Sequence, residues 1–278
     1  MIVKRNGQRE SMTNDGKKPW RIGAVSYLNA KPLIAGLESD PGMRVVLDVP
    51  SRLPALLDGR AVDAALIPVI DLADGPRDLR IISDACIGCE GETLTVRVFS
   101  RVHPESIRRL HVDGDSHTSV ALARIIWRER YGCDLEIVAY HGGESRESCE
   151  AVLLIGDKVV NHTLVDYEIE TDLGSEWKSL TSLPFVFAAW AARSDSDVDV
   201  AALGRRLSRA RDAGVASAEM IAADLGPGMG WPVTLAKRYL TTRLKFTLGA
   251  RQRVGMTRFF ELARRYGIIT ESRELQFA

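Results

Sequence analysis

From Arg21 onward, short apolar runs that read as strands alternate with longer runs that read as helices, and few architectures accept that order. RIGAVSYL is a strand, followed by a short helix expected from Lys31. Pro32 suits its first turn, where a missing amide proton costs nothing. RVVLDVP leads into SRLPALLDGR, with Ser51 as the expected N-cap and Gly59 as the stop. VDAALIPV and LRIISDACIGC are further strands. This strand–helix–strand order predicts a mainly parallel sheet with right-handed crossovers. ETLTVRVFSR sets Leu94, Val96 and Val98 against Thr93, Thr95, Arg97 and Phe99, the pattern of a half-exposed strand.

The alternation then starts again. RLHVDGDS precedes a helix, TSVALARIIWRERYG, with Leu122, Ile125, Ile126 and Glu129 at helical spacing and Gly132 past its end. LEIVAY and AVLLIGD follow as strands, and LPFVFAAWAAR returns the chain to the first lobe. The remainder reads as helices over residues 201–224, 233–243 and 251–266. LGPGMGWP between them lacks the spacing of a phosphate-binding loop and is a plain connection. The expected fold is α/β, a two-lobed clamshell with mainly parallel sheets and C-terminal helices. Residues 20–98 and 186–278 form one lobe, 99–185 the other, and 1–19 a flexible extension. Ligands in such folds lie in the cleft, at the C-terminal ends of strands.

Composition narrows the partners. Lys plus Arg is 37 and Asp plus Glu is 37, so the chain is formally neutral. That argues against a nucleic acid or a membrane surface as partner. The polar N-terminus does not read as a signal peptide and no run reaches the ~18 apolar residues of a membrane span, so a cytoplasmic location is expected. Cys86, Cys89, Cys133 and Cys149 would then be reduced. Cys86 and Cys89 form a C-x-x-C without a second ligand pair or a strand-to-helix setting, which favours small buried or loop cysteines over zinc or redox chemistry. His103, His111, His141 and His162 show no metal-binding spacing, so no metal or cofactor is expected. The oligomeric state is left open.

Three clusters are candidates for chemistry. Ser26, Tyr27 and Asn29 stand where the first strand ends, either facing the cleft or capping the next helix. Ser116, His117, Thr118 and Ser119 open the long helix of the second lobe, as an N-cap or as an anion site made of amides and hydroxyls. Gly156 and Asp157 end another strand: glycine allows close backbone approach, and Asp157 is a turn residue or an acceptor for a ligand hydroxyl.

At VSYLNAKPL the chain resembles the menaquinone-biosynthesis family of periplasmic-binding-protein-like enzymes, and within it the chorismate dehydratases of the futalosine route. The likeness extends from about Arg21 to Ile269 through PSRLPALLDGRAVDAALIPV, SHTSVALARIIWRERYG, AVLLIGD, DLGSEWKSLTSLPFVFAAWAAR and YLTTRLKFTLG. The sister enzyme of that route, which forms 1,4-dihydroxy-6-naphthoate, carries a Ser-Pro-Cys-Pro-Asn-Asp type motif where this chain has VSYLNAKP. The resemblance implies a periplasmic-binding-protein-like fold of type II and a lyase that converts chorismate to 3-[(1-carboxyvinyl)oxy]benzoate without a cofactor. It implies Asn29 and Thr95 as catalytic residues, Thr95 standing where the family usually has serine. Ser26, Tyr27, Ser116, His117, Thr118, Ser119, Gly156 and Asp157 are the implied substrate-binding set, with His117 in place of an arginine. The rival reading is a small-molecule-binding protein of the same fold without catalysis.

Overall fold

A computed structural model describes residues 18–74, 78–140, 149–162, 164, 166–270 and 275–277. Nearly all of the expected N-terminal extension, and His141, lie outside the described residues. Strand β1 (Trp20–Val25) runs into a 3-10 turn at Leu28–Ile34, then β2 (Met43–Asp48), α1 (Leu53–Asp58), β3 (Ala64–Pro68), α2 (Ile70–Ala73) and β4 (Leu79–Cys89). The chain crosses to β5 (Val96–Ser100), β6 (Arg109–Val112), α3 (His117–Tyr131), β7 (Glu136–Ala139), β8 (Ala151–Ile155), α4 (Lys158–Asn161) and β9 (Ile169–Asp172). Helix α5 (Leu173–Thr181) leads back to β10 (Phe185–Arg193), and α6 (Val200–Ala216), α7 (Ala218–Leu225), α8 (Val233–Arg238), β11 (Leu244–Thr247), α9 (Ala250–Arg265) and β12 (Gln276–Phe277) complete the chain.

These strands make two sheets. The first has the order β11-β4-β10-β3-β1-β2, with β12 on β4; the second has the order β7-β6-β8-β5-β9. Both are mixed. The parallel ladders β1–β2, β1–β3, β6–β7 and β6–β8 are those the alternation predicts. β10 returns from the second sheet and inserts antiparallel between β3 and β4, while β5 pairs antiparallel with β8 and β9. The change of sheet falls between Cys89 and Val96, so the whole of β5 belongs to the second sheet.

Side-chain size explains the packing of the first sheet. β10 reads FVFAAWAAR, and its small alanines lie in a strand buried except at Arg193, with α9, α5 and α3 against it. Helix α6 covers β4 and the 3-10 turn; a side chain at Gly214 would lie 1.9 Å from the Pro32 carbonyl oxygen, so this contact needs glycine. Trp127, Trp177, Trp190, Phe185 and Phe259 are fully buried in the same core.

Several local expectations change. The turn after β1 starts at Leu28, and Pro32 sits inside it with no side-chain cap. Ser51 lies in a 3-10 turn ahead of α1 and caps nothing; its amide donates to the Asp115 carbonyl across the cleft, at 3.0 Å. The stretch from Thr93 is not a half-exposed strand. The Thr93 and Leu94 amides donate to the Asp172 carboxylate at 3.0 and 2.8 Å, which bends Leu94 to φ 70° and delays β5 to Val96. Thr93, Thr95 and Phe99 are all buried. The 201–224 run is two helices meeting at Ser217, and the 233–243 run ends in a π turn at Tyr239–Arg243 before β11.

Candidate functional site

The bend at Leu94 and the ends of β1, β8 and α3 converge on a cavity between the two sheets. Its polar lining comes from Tyr27, Asn29, Thr93, Thr95, Ser116, Ser119 and Tyr239, and its apolar lining includes Pro50, Pro68 and Phe187. None of the described lining residues carries a full charge. The cavity measures about 40 Å³, room for a few waters.

Each side is built from local chemistry. Ser116 caps α3: its Oγ accepts from the Ser119 amide at 3.2 Å and its hydroxyl donates to Ser119 Oγ at 2.9 Å. The Ser119 hydroxyl proton is thereby left for the cavity, beside the amide-rich end of a fifteen-residue helix. In the same lining, Thr95 Oγ1 lies 2.6 Å from the Tyr239 hydroxyl, both residues about 1% exposed. Asn29 belongs to this lining too, and its Oδ1 is buried with no hydrogen-bond partner among the described residues.

Tyr27 crosses from the first sheet to the second. Its ring covers Gly156, where a Cβ would lie 2.5 Å from Tyr27 Cδ2, and its hydroxyl donates to Asp115 Oδ2 at 2.5 Å. Burial first, then the Asp115 hydrogen bond and charge, raise the Tyr27 phenol far above its usual range. Lys158 pairs with Asp115 and, at 2.7 Å, with Asp113. Burial works against the charged ammonium, but these two carboxylates outweigh it and raise the Lys158 pKa.

Asp157 turns away from the cavity. Its carboxylate accepts from the Leu28 amide at 3.2 and 3.3 Å and from Trp231 Nε1 at 2.9 Å, tying the end of β8 to the start of the 3-10 turn. Burial raises its pKa against the lowering effect of those donors. Trp231 in turn stacks on Tyr239, with ring centroids 4.8 Å apart at 17°.

The cavity thus gathers Asn29, Thr95, Tyr27, Ser116, Ser119 and Gly156 from the candidates. Four others lie outside its lining. Ser26 is half-buried and its amide bonds the Asp48 carbonyl at 3.0 Å. Thr118 Oγ1 accepts from the Ile70 amide at 3.2 Å, and His117 Nδ1 lies 2.9 Å from Asp71 Oδ2, so both hold α3 against α2. Asp157 is the fourth. Thr93 and Tyr239 were not candidates from sequence; the one signal for Tyr239 is an aromatic residue where a helical run gives way to LKFT. Cys86 and Cys89 are buried in β4, three apart and so on opposite faces of the strand. Burial pushes the Cys86 thiol up to about 12 and Cys89 higher still. Among the described residues, no group of three or more His, Cys, Asp or Glu side chains is placed to hold a metal, and no helix is long and apolar enough to cross a membrane.

Comparison with known proteins gives the family and the fold. A family model described as menaquinone biosynthesis matches residues 20–265. A chorismate dehydratase of Thermus thermophilus is 28% identical over 261 residues, covering 88% of this chain and 95% of the relative. Among solved structures, a protein of Archaeoglobus fulgidus superposes with a TM-score of 0.67 at 17% identity, covering 90% of this chain and 98% of that one. A Candida albicans protein described as having the generic periplasmic-binding-protein fold superposes with a TM-score of 0.64 at 13% identity, with 92% of each chain covered. The two-lobed α/β architecture is therefore that of the periplasmic-binding proteins.

Proposed function

Because the chain belongs to the menaquinone-biosynthesis family, we propose that it is a lyase that removes water from chorismate to give 3-[(1-carboxyvinyl)oxy]benzoate. The observation that carries this reading is the uncharged cavity that brings Asn29, Thr95 and Tyr239 together with the capped end of α3.

The substrate explains why such a cavity suffices. The hydrogen on the ring carbon bearing the enolpyruvyl ether is conjugated through the diene to the ring carboxylate, so its removal gives a delocalised anion. Departure of the neighbouring hydroxyl then makes the ring aromatic. This chemistry calls for orientation and for stabilisation of developing charge more than for a strong external acid. Ser116, Ser119 and the free amides of α3 bind a substrate carboxylate, while Asn29 and Thr95 face the reacting ring. A carboxylate of the substrate takes the proton. The competing base, Asp157, has its oxygens engaged by Leu28 and Trp231 outside the cavity lining, which supports the substrate-assisted route.

In this reading the two sheets are the two lobes of the clamshell, β1 to β4 with β10 to β12 in one and β5 to β9 in the other. The protein works in the cytoplasm on a dissolved acid. The test is to incubate purified protein with chorismate and follow the mixture by chromatography and mass spectrometry. Loss of one water with an aromatic ultraviolet spectrum is expected. Unchanged chorismate that nevertheless protects the protein against heat would replace the reading by a binding protein; turnover of the sister enzyme's substrate would replace it by that enzyme.

A further inference from the structure

Tyr239 is held on every side that could let it turn. Its ring stacks on Trp231, whose indole nitrogen is fixed by Asp157 at 2.9 Å, and its hydroxyl lies 2.6 Å from Thr95 Oγ1. A buried phenol donates its proton to some acceptor. Thr95 Oγ1 is the one side-chain oxygen within hydrogen-bond distance of the phenol among the described residues, and in the same lining Asn29 Oδ1 is buried without a partner among them.

We infer that Tyr239 is a positioning residue that fixes the direction of one hydrogen bond, Tyr239 Oη–H to Thr95 Oγ1, so that Thr95 together with the unpartnered Asn29 Oδ1 offers a substrate hydroxyl one donor and one acceptor. The donor is the Thr95 hydroxyl proton and the acceptor is Asn29 Oδ1. A hydroxyl satisfies both at once: it donates to Oδ1 and accepts from Thr95. A carboxylate would be repelled by Oδ1, and an ether or carbonyl would leave Oδ1 buried and unsatisfied. The recognised group is therefore an alcohol.

This rests on the dehydratase reading, in which that alcohol is the ring hydroxyl that leaves. The ring C–H proton passes to a substrate carboxylate, and the C–O bond breaks with its electron pair going to the departing oxygen. Thr95 hydrogen-bonds the developing hydroxide, which then takes the proton back from the substrate carboxylic acid and becomes water. The carboxylate is regenerated, and the Tyr239 phenol keeps its proton throughout; burial holds its pKa far above the usual phenol range.

The experiment is a double-mutant cycle in the full chain, with product binding as a second readout. Thr95→Val removes the donor itself and should lower kcat about 10²- to 10³-fold, as loss of a single charge-stabilising donor does. Tyr239→Phe keeps the ring stack and should lower kcat about 10- to 100-fold with KM within about threefold, the smaller loss of a group acting through another. In the Thr95→Val background, Tyr239→Phe should add less than about twofold, and Thr95→Ser should restore most of the rate. The aromatic product lacks the hydroxyl, so its Kd should be the same for wild type and Tyr239→Phe within about twofold. Multiplicative losses, a wild-type kcat in Tyr239→Phe, or weakened product binding would overturn the inference. An inactive wild type would overturn the dehydratase reading instead. The chain would then be judged by chorismate affinity alone: about threefold weaker binding in Tyr239→Phe with product binding unchanged would uphold it, and equal affinities would refute it.

Discussion

Replacing Gly156 by alanine tests how the two lobes meet at the site. Gly156 has φ 59°, a left-handed conformation that costs an L-residue about 1–2 kcal/mol. Its added Cβ would also lie 2.5, 2.7 and 2.8 Å from three ring carbons of Tyr27. That ring is held by the bond to Asp115, so the clash is relieved only by moving a buried aromatic, at about 1–3 kcal/mol. Gly132 supplies the control. It has φ 63°, caps α3, and nothing lies within 4 Å of its would-be Cβ, so Gly132→Ala carries the backbone cost alone. The difference between the two variants isolates the packing cost. At about 2–4 °C per kcal/mol for a chain of this size, Gly156→Ala should melt about 2–12 °C below Gly132→Ala by calorimetry. It should also lose activity, since Tyr27 lines the cavity, whereas Gly132→Ala should keep it. Equal melting temperatures would refute the argument that the Tyr27 ring is fixed against Gly156.

Asn29→Ala should lower kcat at least about 100-fold at a melting temperature close to that of the native protein, read by initial rates and calorimetry together. Asp157→Asn should weaken kcat/KM while leaving the pH profile of kcat in place; loss of one limb of that profile would make Asp157 the base. Asp84 gives a pH dependence of stability: burial alone would raise its carboxyl, but hydrogen bonds from Ser208 and Arg211 outweigh that and hold it below its usual value. A depressed carboxyl stabilises the fold above its unfolded pKa, about 4, and that contribution is lost as pH falls through the lower folded value. Asp84→Asn should therefore melt lower at pH 7 and lose less between about pH 5 and pH 3 than the native chain does. A thiol reagent at about pH 8 should label half-buried Cys133 first, with Cys86, Cys89 and Cys149 following only on unfolding.

How far the sequence led depended on whether a feature is local. β3 is a short apolar run buried at every position, and α3 ends at a left-handed Gly132; both are written in neighbouring residues. The direction of β10 is not, because it depends on a return from the second sheet. β11 has only four residues, LKFT, too few to distinguish from the end of a helix. The opening of α3 shows the same limit within a motif. Helix positions three apart share a face, so Ser116 and Ser119 reach the cavity, while His117 and Thr118 between them turn toward α2. Asn29 was legible as a polar residue at a strand end. Tyr239 was not, since its partner Thr95 lies 144 positions away.

The size of the cavity has a consequence for timing. With about 40 Å³ of room and the bonds Tyr27–Asp115, Leu28–Asp157, Trp231–Asp157 and Ser51–Asp115 spanning the cleft, nothing of metabolite size enters or leaves until the halves separate. The same closure that delays capture forbids escape. In the proposed reaction, a carbanion formed inside a closed cleft is kept from bulk water until the hydroxyl departs, so confinement favours the aromatic product.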